Sequence, residues 1–434
     1  QGVYNMAGSK GNAVIGQSGG PTAVINRSFI GAITEARKHG EILELYGARH
    51  GVQGMLNKEY VSLFEQPNFV LRQISQTPAA ALGSVRHKPS NEECETIFKN
   101  FKDMNVRYFF YIGGNDSAET AYFINSFAAR EGYDLRVVHI PKTIDNDLLI
   151  TDHCPGYGSA ARYVACAFIG DNEDNRALKG VKINVVMGRN AGFLTAASIL
   201  AKQYPKDGPH LVYLPELPFD IDSFLKDVDK TFKEHGRALI SISEGINKQG
   251  IYNLKEGEKP QYISTWLNSL VTISLPAKYI SEDKKKTVEV DSHGNISLSG
   301  SSMMGDILAF IVKNALNIKR VRADTLGYPQ RSFPLAISEV DANEAFKVGV
   351  DAVIAATNDH FDEGSIAIKR VDHDGIYKIE TFITPLQSVQ KRTKSFPKEW
   401  VSEIGNIDER KFREYVNPLI GELPMAGRFV KAIF

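Results

Sequence analysis

Residues 136–147 read RVVHIPKTIDND, an apolar, β-branched run followed at once by a lysine, a threonine and two aspartates. The run has the length of a strand but lacks the strict alternation of a half-buried one. It therefore reads as a strand covered on both faces, as in a parallel sheet. In extended backbone, side chains two residues apart project to the same side, so Thr143, Asp145 and Asp147 are expected to face one cleft, with Lys142 beside them. Read as structure alone, KTIDND is an Asx-rich turn after Pro141.

Similar runs recur on both sides of this stretch: NAVIG (12–16), EILELYG (41–47), RYFFYIGG (107–114), KINVVMG (182–188), HLVYLPE (210–216) and ALISISEG (238–245). Between them lie helical patterns such as AVINRSFIGAITEARKHG (23–40) and SAETAYFINSFAAREG (117–132). Their closing Gly40 and Gly132 suit the left-handed position that ends a helix. Alternating strand and helix predicts an α/β protein with two Rossmann-like, doubly wound domains. The first is expected over 12–155 plus about 321–375. The second spans 156–320 plus a helical C-terminal tail. The turn-rich stretch at about 247–300 reads as an insertion carrying a hairpin around DSHGN, and Lys284–Lys286 as a solvated face.

After the strands come QSGGPTAVIN, NDSAE, PKTIDND, GRNAG and EGIN. In open parallel sheets ligands bind beyond the carboxyl ends of the strands, so these segments describe one rim. Gly19 and Gly20 stand before a helix whose first turn is expected to carry Pro21, where absent Cβ atoms let a phosphate approach backbone N–H groups. Gly113 and Gly114 repeat the device. Asn115 offers a carbonyl oxygen to a cation, and Asp116, which also suits a helix cap with Ser117 and Glu119, would repel a further phosphate. Arg86, Arg189, Arg322 and Arg331 lie in glycine-bearing segments and can clamp phosphates. Phosphoryl transfer needs positioning, charge neutralisation and a base. Lys142 would hold the moving group, Asp145 would be the base, and Asp147 would support the base or a metal-bound water.

Composition excludes some functions. The 434 residues carry 51 basic and 51 acidic side chains, which gives no reason to expect nucleic acid or an anionic membrane as partner. Cys94, Cys154 and Cys166 lack metal or redox spacing and read as free thiols of a cytoplasmic protein, and His153 beside Cys154 makes a weak metal site. No stretch approaches the ~20 apolar residues that span a bilayer, and the polar opening QGVYNMAGSKGN reads as a flexible tail without a signal-peptide pattern.

Taken together, GGPTAVIN, GGNDS, PKTIDND, MGRNAG, SEG and LGYPQRS resemble the phosphofructokinase family, in its order and from about residue 12 to 425. The resemblance implies that Asp145 accepts the proton of the fructose 6-phosphate 1-hydroxyl, with Thr143, Asp147, Lys142 and Arg189 around the reacting groups. Gly19, Gly20, Arg86, Gly114, Asp116 and Lys142 would meet the phosphoryl donor. Met187, Gly188, Arg189 and Glu244 would meet the sugar, and Tyr328 and Arg331 its 6-phosphate. Arg322 would reach a neighbouring subunit's site, which implies a homodimer or homotetramer. Mg²⁺ would sit near Asn115 and Asp116, although Asn115 replaces the family's usual aspartate and a neutral amide is a weaker ligand for a hard cation. No residue matches the arginine expected just before KINVVMGR, near Lys179 and Gly180.

ATP-using members of that family have small glycines where this chain has Asp116 and Lys142. A carboxylate in the place of the nucleotide's α-phosphate opposes ATP, and the added cation suits compact pyrophosphate. This resembles the pyrophosphate-dependent branch, as do the insertion after Glu244 and the tail FREYVNPLIGELP, and it implies a reversible reaction. The alternatives are an ATP-dependent phosphofructokinase and a non-catalytic regulatory subunit of the same fold. A dinucleotide oxidoreductase lacks its GxGxxG turn here.

Overall fold

The computed structural model describes residues 9–246, 303–371, 375–401 and 407–429. The expected insertion at 247–300, its DSHGN hairpin and Lys284–Lys286 lie outside the described residues, as does most of the polar opening. Two sheets organise the rest. The first has seven strands in the order β11-β10-β5-β4-β1-β2-β3. These are β1 (Gly11–Gln17), β2 (Ile42–Ala48), β3 (Tyr60–Ser62), β4 (Val106–Gly113), β5 (Arg136–Pro141), β10 (Glu363–Arg370) and β11 (Ile379–Thr384). Its five central strands run parallel, and β3 and β11 close the edges antiparallel. The second sheet is parallel throughout, in the order β7-β8-β6-β9. It comprises β6 (Val181–Val186), β7 (Leu211–Tyr213), β8 (Ala238–Ser243) and β9 (Val321–Thr325).

All seven strands expected from the apolar runs form, and their lack of alternation has the predicted cause. Every residue of β5 and β8 is buried, because helices cover both faces of each sheet. On the first sheet one core packs the helices Ile25–Ala36 and Glu339–Ala356, and the opposite core packs Asn91–Asp103 and Asn115–Arg130. The helix Glu339–Ala356 returns from beyond the second sheet. Arg136, buried in β5, fixes its far end by donating to the carbonyls of Ala356 and Asn358, both at 2.8 Å.

Four expectations need correction. β9 pairs with β6, so the chain rejoins the first sheet after Thr325 rather than at about 321, and β11 extends that return past 375. Strands β3, β9, β10 and β11 carry too few apolar residues between charges to stand out. Gly132 does take the left-handed position (φ 60°) after its helix, but Gly40 does not. The helix Ile25–Ala36 ends earlier, at Arg37, whose guanidinium donates to the carbonyls of Leu63, Phe64 and Gln66. Pro21 likewise precedes its helix, which begins only at Ile25.

The helices Ile25–Ala36 and Glu339–Ala356 touch backbone to backbone. A Cβ on Gly31 would lie 2.2 Å from the carbonyl oxygen of Phe346, and one on Gly349 would lie 2.0 Å from that of Ser28. Gly31→Ala or Gly349→Ala should therefore force the helices apart and cost about 1–3 kcal/mol. Urea unfolding would register this as a lowered midpoint at unchanged slope.

Candidate active site

β1 lies between β2 and β4, so the chain leaves it in opposite directions along the sheet, which is the switch point where α/β sheets open a crevice. The segments after β1, β4, β5, β6 and β8 converge there on a single cleft of about 390 Å³. Of the nominated residues, Gly19, Gly20, Arg86, Gly114, Asn115, Asp116, Lys142, Thr143, Asp145, Asp147, Met187, Arg189 and Glu244 line it. Asn190, Lys88 and Thr393 line it as well.

The three KTIDND side chains share the cleft, but not through extended backbone. β5 stops at Pro141, the chain bends at Ile144–Asp145, and Asn146 takes a positive φ of 58°. Three contacts impose this bend. Thr143 Oγ1 accepts the Asp145 N–H at 3.1 Å, and buried Asn146 binds the Tyr415 hydroxyl at 2.7 Å and the Cys154 N–H at 2.9 Å. Lys394 adds a further hold: its N–H donates to the Asp147 carbonyl at 2.6 Å, and its ammonium donates to the carbonyls of Thr151 and Asp152 at 3.1 and 2.8 Å. One lysine thus gathers the loop behind the aspartates, and nothing in RTKSFP signals this role in the sequence.

Lys142 sits under the glycine turn. Its ammonium is almost wholly buried, donates to the Gly20 carbonyl at 2.7 Å, and would stand 3.3 Å from a Cβ on Gly19. Gly19 requires its positive φ of 73°, and its N–H is already bonded to the Val85 carbonyl at 3.1 Å. The turn therefore presents Lys142 rather than a row of open amides. The second glycine pair does open a helix. Gly114 caps Asn115–Arg130, and a Cβ there would meet nothing within 4 Å, so the helix N-terminus faces open cleft. Asp116 lies in the first turn of that helix, whose cap is Gly114.

Arg331 reaches Gly20 from the other sheet: its Nη1 would lie 2.7 Å from a Cβ there, and its guanidinium stacks 4.3 Å from the Tyr328 ring centre. The side chain nominated for the sugar phosphate thus borders the donor-side turn. Buried Gln330, unforeseen in the sequence, accepts the Met187 N–H at 3.2 Å and so ties the MGRN loop to the same helix. Gly188 supports that loop from behind, accepting from Ser243 at 2.7 Å with its φ at 121°. Arg322 is exposed on β9 and does not line the cleft. His153 is no metal ligand here; it lies between Asp152 (2.7 Å) and Glu344 (2.6 Å), and the three cysteines are free.

Burial governs the charges. It pulls Lys142 down to about 8, helped by Arg331 and Arg86 and opposed by the two aspartates. It pushes Asp145 up against the pull of Lys142, Arg331, Arg86 and Arg189. Asp147 is pushed up to about 7, first by burial and then by repulsion from Asp145. The result is a carboxylate pair of raised proton affinity beside a cation short of anionic partners. Such a site can take a proton from a hydroxyl and a phosphoryl group from a donor. For a metal, the oxygens at hand are those of Asp116 and Asn115, whose Oδ1 also accepts the Asp116 N–H at 2.9 Å. No cluster of three or more His, Cys, Asp or Glu suited to a metal occurs among the described residues. A carboxylate beside an amide oxygen suits a hard cation that completes its sphere with substrate phosphates.

The raised Asp147 has a consequence for stability. Folding holds its proton more tightly than the ordinary value of 3.8, so its contribution to stability is present below that value and is lost as pH rises through about 7. Asp147→Asn should therefore stabilise the ligand-free protein by about 1–3 kcal/mol at pH 8 and by little at pH 4. Denaturant unfolding at both pH values checks the sign.

The phosphofructokinase family profile matches residues 12–356. A pyrophosphate–fructose 6-phosphate 1-phosphotransferase of Rhodospirillum rubrum is 45% identical over 424 residues, covering 96% of both chains. The crystal structure of a pyrophosphate-dependent phosphofructokinase from Marinobacter aquaeolei superposes with a TM-score of 0.77 at 30% identity, over 96% of this chain and 94% of that one. Another, from Nitrosospira multiformis, gives 0.78 at 29% identity, over 97% and 94%.

Proposed function

The chain belongs to the phosphofructokinase family, and we propose on that premise that it is a phosphotransferase moving a phosphoryl group from pyrophosphate to the 1-hydroxyl of D-fructose 6-phosphate. Fructose 1,6-bisphosphate and phosphate result. One phosphorylated pair replaces another with little driving force, so the reaction runs both ways. The observation that carries the donor choice is the buried Lys142 ammonium at the Gly19–Gly20 turn, in a cleft that Asp116 also lines. A cation at that depth is suited to a compact polyanion, and a carboxylate at the rim disfavours the longer phosphate chain of a nucleotide.

In this reading Asp145 takes the proton of the 1-hydroxyl as its oxygen attacks the nearer phosphorus of pyrophosphate. The bridging P–O bond breaks and its electrons leave with the departing phosphate. Burial keeps Asp145 basic enough for that transfer against the pull of Lys142, Arg331, Arg86 and Arg189, and Thr143 fixes its backbone. Lys142 neutralises the moving group, with Arg86 and Arg189 beside it, while the bend at Asn146 keeps base and cation in one cleft. Met187 and Glu244 would orient the sugar, and Arg331 with Tyr328 would meet its 6-phosphate.

Phosphofructokinase-family enzymes generally use a divalent metal; here Mg²⁺ is assigned to Asp116 and Asn115, where it would neutralise phosphate charge. Arg322, exposed on an edge strand and away from its own cleft, suits a residue lent to a second subunit, so a homodimer or homotetramer is part of the proposal. So are a two-domain division following the two sheets and a cytoplasmic setting. No described helix is long and apolar enough to cross a membrane.

Purified protein given fructose 6-phosphate and Mg²⁺ should form fructose 1,6-bisphosphate with pyrophosphate and not with ATP. Asp145→Asn should lower kcat by about 10²–10⁴-fold with KM values within a few-fold. Activity with ATP alone would overturn the donor assignment, and an active Asp145→Asn would overturn the base.

A further inference from the structure

The Glu119 carboxylate is buried, with 5% of its side chain exposed, on the helix whose first turn rims the cleft. Burying a carboxylate demands a partner, and one cation suffices. Glu119 has two, brought from separate segments. Lys88, from the loop before Asn91–Asp103, lies 2.5 Å from Oε2, and Lys391, after β11, lies 3.3 Å from Oε1. The arrangement sets two cations against the one carboxylate of Glu119. Lys88 lines the cleft while 44% of its side chain stays exposed, and the charge of Asp116 acts on it. Lys391 has the strained φ of 62° and lies 5.8 Å from the Phe123 ring centre, which holds it on the same helix.

Lys142 serves the inner end of the cleft, next to the base. A donor with two phosphates has a second charged group, and the proposed function leaves it without a lysine. We propose that Lys88, aimed by Glu119 and reinforced by Lys391, binds the phosphate of the donor that is not transferred. Lys88 is then a binding residue and Glu119 a positioning residue. In the reverse direction the same lysine binds inorganic phosphate, which becomes the outer half of the pyrophosphate formed. This inference rests on the reading of pyrophosphate as donor.

Steady-state kinetics of Lys88→Met, Lys88→Arg and Glu119→Gln test it. Lys88→Met should raise KM for pyrophosphate, and in reverse for phosphate, by about tenfold or more, with KM for fructose 6-phosphate changed less than about twofold. Lys88→Arg should recover most of that loss, and Glu119→Gln should reproduce part of it. Lys88 is half-exposed in a loop, so the Met variant keeps the test decisive if Glu119→Gln fails to fold. An unchanged KM for pyrophosphate in Lys88→Met, or equal rises for both substrates, overturns the inference. Wild-type protein inactive with pyrophosphate would instead sink the donor reading itself, before any variant is compared.

Discussion

The Lys142 ammonium donates to the Gly20 carbonyl in a position that almost no solvent reaches. A cation there is costly unless anions stand close, and the nearest carboxylates, Asp145 and Asp147, are themselves disfavoured by burial and by each other. Three groups that each resist their charge are thus held together by the frame around them. The Lys142 N–H is bonded to the Gly113 carbonyl, and a ring nitrogen of buried His139 lies 3.0 Å from the same oxygen, so the second glycine loop and β5 move as one. An incoming phosphate supplies the counter-charge that the buried Lys142 ammonium calls for. The ligand-free site is in this sense prepared for its substrate rather than at rest.

The frame explains why distant parts of the chain converge on the site. Tyr415, on the C-terminal helix, holds Asn146, and Lys394, after β11, holds the loop behind Asp147. Glu216 accepts the N–H groups of Gly192 and Phe396, joining the segment of Lys394 to the loop that carries Arg189. Phe193, Phe396, Trp400, Phe412 and Tyr415 pack against one another around that junction. The tail is therefore part of the support of the active site.

Much of this was legible in the sequence because strand-to-loop transitions leave local marks. RVVHIP followed by KTIDND, or KINVVM followed by GRN, states both a buried strand and the polar rim at its end. The converging residues are therefore mostly those the motifs name. What escaped is what depends on distant partners. Lys394 and Gln330 act by bonding backbone groups far away in sequence, and no local pattern records that. The bend at Asn146 departs from the extended backbone expected there because one of the contacts that hold it, Tyr415, lies 269 residues on. β9 leaves no mark of its own, because strand order is not encoded in a five-residue run.

The central claim is that Asp116 and Lys142 together select the donor. The most direct measurement is the ratio of kcat/KM for pyrophosphate to that for ATP in the double variant Asp116→Gly/Lys142→Gly, set against the same ratio in the unaltered protein. Removing the carboxylate and the cation should lower that ratio by about 10²-fold or more, ~2.7 kcal/mol of discrimination, with ATP turnover rising from background. A ratio unchanged within about threefold, with both donors losing activity together, would contradict the account and leave these two residues as general contributors to catalysis.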